Sequence, residues 1–116
     1  MPSTTNYRRG DVVLVFFPFT DLTSSKRRPA LVISPDSFNV LRGDLVLAAI
    51  TSHLTEDADA IRLQPSDFID GQLPRTSIVK IAKLFTIHSS LVVKKACGLR
   101  REKTEQVLET VRHFFS

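Results

Sequence analysis

Two short stretches carry the groups best suited to phosphate chemistry: Lys26-Arg27-Arg28-Pro29 and Thr51-Ser52-His53. An arginine presents a planar fork that can make two hydrogen bonds to a phosphate and keeps its charge at any physiological pH. Arg28 directly precedes Pro29, whose fixed φ pre-orders the start of the following strand and steadies the arginine's backbone. Thr51 and Ser52 close an apolar run, so their hydroxyls fall at a strand end beside a loop. If the two strands pair, arginine and hydroxyls share one cleft. Each group also has a plainer reading, Arg28 as a solvent-facing loop cation and the hydroxyls as strand-end groups bonding their own backbone.

Other chemistries find less support. His53, His88 and His113 are far apart, with no cysteine pair and no His-x-x-x-His spacing, so no zinc site is expected. Asp57 and Asp59 read as a solvated acidic loop. With only 4 glycines there is no glycine-rich loop to cradle a nucleotide phosphate. Cys97 lacks an indicated base and reads as a buried structural thiol. No cofactor is expected.

The elements that must hold these groups follow from pattern. Asp11 to Phe17 is short, β-branched and aromatic, which predicts a first strand. It does not alternate, so both of its faces should be covered. Pro18 ends it, residues 18–28 form a loop, and Pro29 to Ser34 is a second strand. Turns at Pro35-Asp36 and Arg42-Gly43-Asp44 lead into a third, Leu45 to Thr51. Ala60 to Leu63 is a fourth, and Ser77–Ile81 with Leu84–Ile87 reads as one bent strand or two short ones. From Glu102 to Phe115 the pattern changes: Val107, Leu108, Val111, Phe114 and Phe115 fall at helical spacing, predicting a helix packed on the sheet. Arg100-Arg101 sit where a hydroxyl or acid would cap its start better.

Many short strands and one terminal helix predict a mainly β fold, a small bent sheet or barrel. At 116 residues, with 42% hydrophobic and 24% charged, the chain is expected to be one domain, residues 1–8 forming a flexible N-terminus. The longest apolar run is far shorter than the ~20 residues a membrane span needs. No secretory signal is read, and one cysteine fits a reducing compartment, so the cytoplasm is expected. The net charge of +4 gathers at Arg8-Arg9, Lys26-Arg27-Arg28, Lys94-Lys95 and Arg100-Arg101, a distribution that suits a polyanion.

In order along the chain, GDVVLVFFPFTD, KRRPALVIS, LAAITS, LPRTSIVKIAKLFTI and GLRREKTEQVLETV resemble the MazF/PemK toxins of bacterial toxin–antitoxin systems. The most specific elements are the strand-loop-Arg-Pro-strand unit and the Ile-Thr-Ser strand end. The resemblance implies an SH3-like barrel with a C-terminal helix and a homodimer. It further implies a metal-independent endoribonuclease that cuts single-stranded mRNA, inhibited by an antitoxin whose acidic tail lies across the RNA groove. It assigns Arg28 and Thr51 as catalytic, with Ser52 beside them. Arg27, Lys26, Asp21, His53 and Lys80 are expected to border the substrate.

One departure stands out. Where some members carry an arginine and, two residues on, an acid, this chain has Lys80 and Ala82. Lys80 replaces a charge but not a fork, and Ala82 offers no proton. Either Arg28 and Thr51 suffice, or His53 or Asp21 substitutes, or the chain is a slow or inactive binding module for RNA or peptide. A gyrase poison of the CcdB type shares the fold, but its activity relies on a C-terminal tryptophan, and this chain has no Trp and ends in HFFS.

Overall fold

A computed structural model describes residues 6–16 and 27–116. The elements in chain order are β1 (Asp11–Phe16), β2 (Arg27–Val32), α1 (Asp36–Arg42), β3 (Asp44–Thr51), β4 (Ala60–Leu63), β5 (Phe68–Ile69), β6 (Ser77–His88), β7 (Val92–Leu99) and α2 (Arg101–Phe114). The strands form one sheet in the order β4-β6-β3-β2-β1-β7-β5, and every pairing is antiparallel. Register shifts interrupt β1–β7 twice and β3–β6 once, between Ala48 and Ala49. Such bulges bend a strand and raise its twist. They curl this sheet around its own core.

Both faces of the central strands are covered, as their unbroken apolar runs require. On the concave side Val12, Leu31, Ala48, Ile50 and Val79 pack with Val107 and Leu108 of α2. On the other side Val13, Val15, Ala30, Val32, Leu47 and Ala49 form a second cluster with Phe85. Burying a side chain of this size stabilises the fold by about 1.5–3 kcal/mol, so Leu31→Ala would open a cavity in the middle of the first cluster. Since Val12, Val13 and Val15 are all buried within one chain, these strands do not themselves require a second subunit to shield them.

Several elements differ from expectation. β2 begins at Arg27, two residues before Pro29, so Arg28 is a strand residue rather than a loop cation. The Pro35-to-Asp44 stretch holds α1, not two turns. That helix buries only Asn39, so no apolar stripe announces it. Asn39 is instead held by polar contacts: the Ser34 hydroxyl donates to its Oδ1, and its Nδ2 donates to the Tyr7 and Ser34 carbonyls at 3.2 and 3.3 Å. β7 and β5 were not anticipated either. β7 pairs with β1 across two bulges, which break the alternation that would have announced it.

In α2 the stripe is core only as far as Val111. Phe114 and Phe115 are 47% and 68% exposed and meet edge to face at 5.1 Å. Its N-terminus does lack a side-chain cap, with Arg100 at the cap position. β6 is a single bent strand of 12 residues.

Candidate active site

β2 and β3 pair through Ala30↔Ala49, Leu31↔Ala48 and Val32↔Leu47. Continuing that register by two steps sets Arg28 opposite Thr51, on the same face of the sheet. Arg28 is also paired across β1 with Val15, so its backbone is fixed from one side by the ladder and from the next residue by Pro29. Both residues line a groove of about 600 Å³ at this end of the sheet. Its remaining walls are Leu14, Arg27, Pro29, Ile50 and Ser52, the 72–75 loop with Ser77, and Lys94, Lys95 and Ala96 of β7.

The Arg28 Nε is buried and has no hydrogen-bond partner among the described residues. An unmade hydrogen bond on a buried charged group costs more than that on a neutral one, so this atom is an exception among buried polar groups. The Thr51 Oγ1 accepts from the His53 backbone N–H at 3.1 Å. That is the strand-end turn anticipated as the plain reading, and it leaves the hydroxyl's own proton uncommitted. The two readings of Thr51 are therefore compatible.

The groove is cationic, with Arg27, Arg28, Arg75, Lys94 and Lys95 in its walls. Lys95 is ion-paired at 3.3 Å with Asp11. The Ser77 hydroxyl donates to the Arg75 carbonyl at 3.0 Å, which shapes the wall. Gln72, Arg75, Lys94 and Lys95 were not among the expected site residues. The Lys94-Lys95 charge cluster was visible in the sequence, but without β7 nothing tied it to Arg28.

Two expected residues fall differently. Lys80 does not line the groove: its Nζ bonds Asp57 Oδ2 at 2.9 Å and lies 3.5 Å from the Thr55 hydroxyl. The hydrogen bond from Lys80, then that from Thr55, holds the Asp57 carboxyl below its usual range. His53 is exposed, and its ring is not part of the groove wall; its contribution is the backbone N–H on Thr51. Ala82 is exposed on β6, where the strand leaves its regular register with β3. Asp21 and Lys26 lie outside the described residues. No cluster of three His, Cys, Asp or Glu side chains that could hold a metal occurs among the described residues. Cys97 is a buried free thiol, and burial pushes its pKa up.

A curled antiparallel sheet with one terminal helix, with an arginine and a threonine in the wall of one cationic groove, defines a class of small half-barrel proteins. The particular family follows from the sequence: residues 8–115 match the PemK-like, MazF-like toxins of type II toxin-antitoxin systems, and the chain belongs to that family. No curated protein sequence matches it significantly. Its fold is similar to that of MazF in a MazE-MazF crystal structure (Form-III) from Deinococcus radiodurans, with TM-score 0.77, 18% identity, and 96% of this chain and 97% of that one covered. It is also similar to an endoribonuclease in complex with its cognate antitoxin from Mycobacterial species, with TM-score 0.74, 18% identity and 92% of each chain covered. A second mycobacterial endoribonuclease gives TM-score 0.74 at 17% identity, with coverage of 94% and 90%.

Proposed function

We propose that the chain is the toxin of a toxin–antitoxin pair and acts as a sequence-selective endoribonuclease on single-stranded RNA. The observation that carries this reading is the buried, unpartnered Arg28 Nε in one groove with the free hydroxyl proton of Thr51. In the proposed reaction a ribose 2′-oxygen attacks the adjacent phosphorus as its proton leaves. The bond from phosphorus to the 5′-oxygen breaks, and that oxygen takes up a proton. The products are a 2′,3′-cyclic phosphate and a 5′-hydroxyl. Arg28 stabilises the charge that develops on the non-bridging oxygens, an effect worth about 3 kcal/mol for one well-placed donor. Thr51 donates a hydrogen bond to the scissile phosphate and fixes its orientation. Neither role calls for a metal.

Two partners belong to the same proposal. An acidic antitoxin segment competes with RNA for Arg27, Arg28, Arg75 and Lys94, because carboxylates seek the cations that hold phosphates. A homodimer is supported by exposed apolar side chains: Val40 and Leu41 on α1, and Leu91. Leu91's turn is tied to the end of α1 by the Ser89 N–H donating to the Gly43 carbonyl at 2.8 Å. No helix among the described residues is long and apolar enough to cross a membrane, and a cytoplasmic site of action follows from RNA as substrate.

The test is to incubate purified protein with single-stranded RNA in excess EDTA and to map the new ends. Recurrent cuts leaving 5′-hydroxyls are expected. Cleavage abolished by chelation, or 5′-phosphate ends, would refute the mechanism. A second reading rests on Lys80 being held by Asp57 and on Ala82 offering no proton: the groove then binds RNA without cutting, and the assay would show binding with intact RNA.

A further inference from the structure

The groove has two halves of different chemistry. Near Arg28 and Thr51 it is built to grip a phosphate. Across from them stands the loop after β5, where Gln72 is followed by Leu73, Pro74 and Arg75. Contacts to phosphates and sugars fix position but carry no sequence information, which comes from contacts to base edges. Among the described wall residues Gln72 is the one amide, a side chain with a donor and an acceptor side by side.

The backbone that carries this amide is constrained. Asp70 and Gly71 both have positive φ, 55° and 119°, and the sharp turn they make sets Gly71 directly against β7. A Cβ on Gly71 would lie 3.1 Å from the Ala96 carbonyl oxygen, so only glycine allows the loop to sit this close. Gln72 follows immediately and is exposed in the groove wall, next to Leu73, which packs against the core, and the exposed Pro74.

We infer that Gln72 is a specificity-determining residue, reading the edge of one base next to the phosphate held by Arg28 and Thr51, and that this base is adenine. A glutamine amide pairs in bidentate fashion with adenine's amino group and adjacent ring nitrogen. The wall arginines and lysines would favour guanine where they reach a base edge, and the hydroxyls discriminate less. The inference rests on the endoribonuclease reading for its cleavage arm only.

The test has two arms, both with wild type and Gln72→Ala. In the first, random-sequence RNA is cleaved and the new 5′ ends are sequenced. Wild type favours adenine at one position near the cut, and Gln72→Ala reduces that preference by at least about tenfold, the scale of one lost bidentate pair. In the second, anisotropy measures binding of uncleavable 2′-deoxy hexamers of A, C or T. Wild type prefers the A hexamer, and the variant levels the three. A thermal melt confirms that Gln72→Ala folds. An unchanged motif in the variant overturns the inference, as does a levelled position where wild type prefers another base. If wild type cuts nothing, the endoribonuclease reading fails and binding decides alone: equal binding of the hexamers by wild type then overturns the role of Gln72, and an A preference lost in the variant upholds it.

Discussion

Arg28, near the start of β2, and Thr51, at the end of β3, lie two register steps beyond the last paired residues, and both line one groove. The ladder that aligns them is formed by Ala30↔Ala49 and Leu31↔Ala48, small and apolar residues buried on both faces. Their relative placement is therefore a property of the sheet and not of a loop. On the proposed reading, a phosphate entering the groove would meet donors already in position, with little ordering left to be done when it binds.

Arg28 separates catalysis from stability. Its Nε is buried without a partner, so removing the side chain relieves an unmade hydrogen bond while removing the main charge-stabilising group. Arg28→Ala is expected to lower cleavage by about 100-fold or more, with a melting temperature equal to or above that of wild type. Arg28→Lys should also cleave poorly, because a point charge does not replace a fork. Near-full activity in Arg28→Ala, measured by the rate of RNA cleavage, would remove Arg28 from the site.

Thr51 accepts from the His53 N–H and is proposed to donate to substrate, and two substitutions test the hydroxyl. Thr51→Val keeps the β-branched shape and loses both; Thr51→Ser keeps both. Cleavage should fall roughly 10- to 100-fold in Thr51→Val and hold close to wild type in Thr51→Ser. Two variants with equal rates would show that the hydroxyl is not used.

The pairing of these two residues was legible because it rests on local chemistry: Pro29 marks a rigid strand start, and Thr51 closes an apolar run. β4 and α2 were legible for a similar reason, a plain pattern over the whole element. Lys80 and Gln72 were not. Where Lys80 points depends on a bulge in β6 opposite Ala48 and Ala49, a tertiary feature, and its partner Asp57 is 23 residues away. Gln72 reaches the groove only because Gly71 packs against β7, a strand whose own pattern the bulges obscure. The residues proposed to hold phosphate, Arg28 and Thr51, sit on regular strands with strong local signals. The wall that surrounds them comes from elements that signal weakly.

Lys80 is expected to be dispensable for cleavage. Its ammonium is engaged by Asp57 and Thr55 and does not line the groove. Lys80→Ala should cleave within about a factor of five of wild type, the effect of a change near 1 kcal/mol. The ion pair itself has a definite pH signature. Because Lys80 lowers the Asp57 pKa, the pair contributes stability above the ordinary carboxylate range and loses it as pH falls through the lowered value. The melting temperatures of wild type and Lys80→Ala should therefore differ slightly at neutral pH and converge in acid. A large cleavage defect in Lys80→Ala would place Lys80 on the substrate after all.

Cys97 gives a prediction of opposite sign on the pH axis. The thiol is buried on β7 in the core beneath the groove, and burial raises its pKa against the smaller opposing pull of Lys95. In the unfolded chain the thiol ionises near its ordinary value, about 8.5. Its contribution to stability is thus fully present below that value and is lost as pH rises through the higher folded pKa. Cys97→Ala removes the titration along with some packing. Wild type should lose stability more steeply than Cys97→Ala between neutral and strongly alkaline pH, read as the difference between their urea midpoints. At neutral pH the native thiol should resist a water-soluble disulfide reagent and react fully in urea, since the thiolate is the reactive form and is both disfavoured and inaccessible when folded. Rapid labelling of the native protein, or parallel pH curves for the two proteins, would show that the β1–β7 edge opens far more readily than its burial indicates.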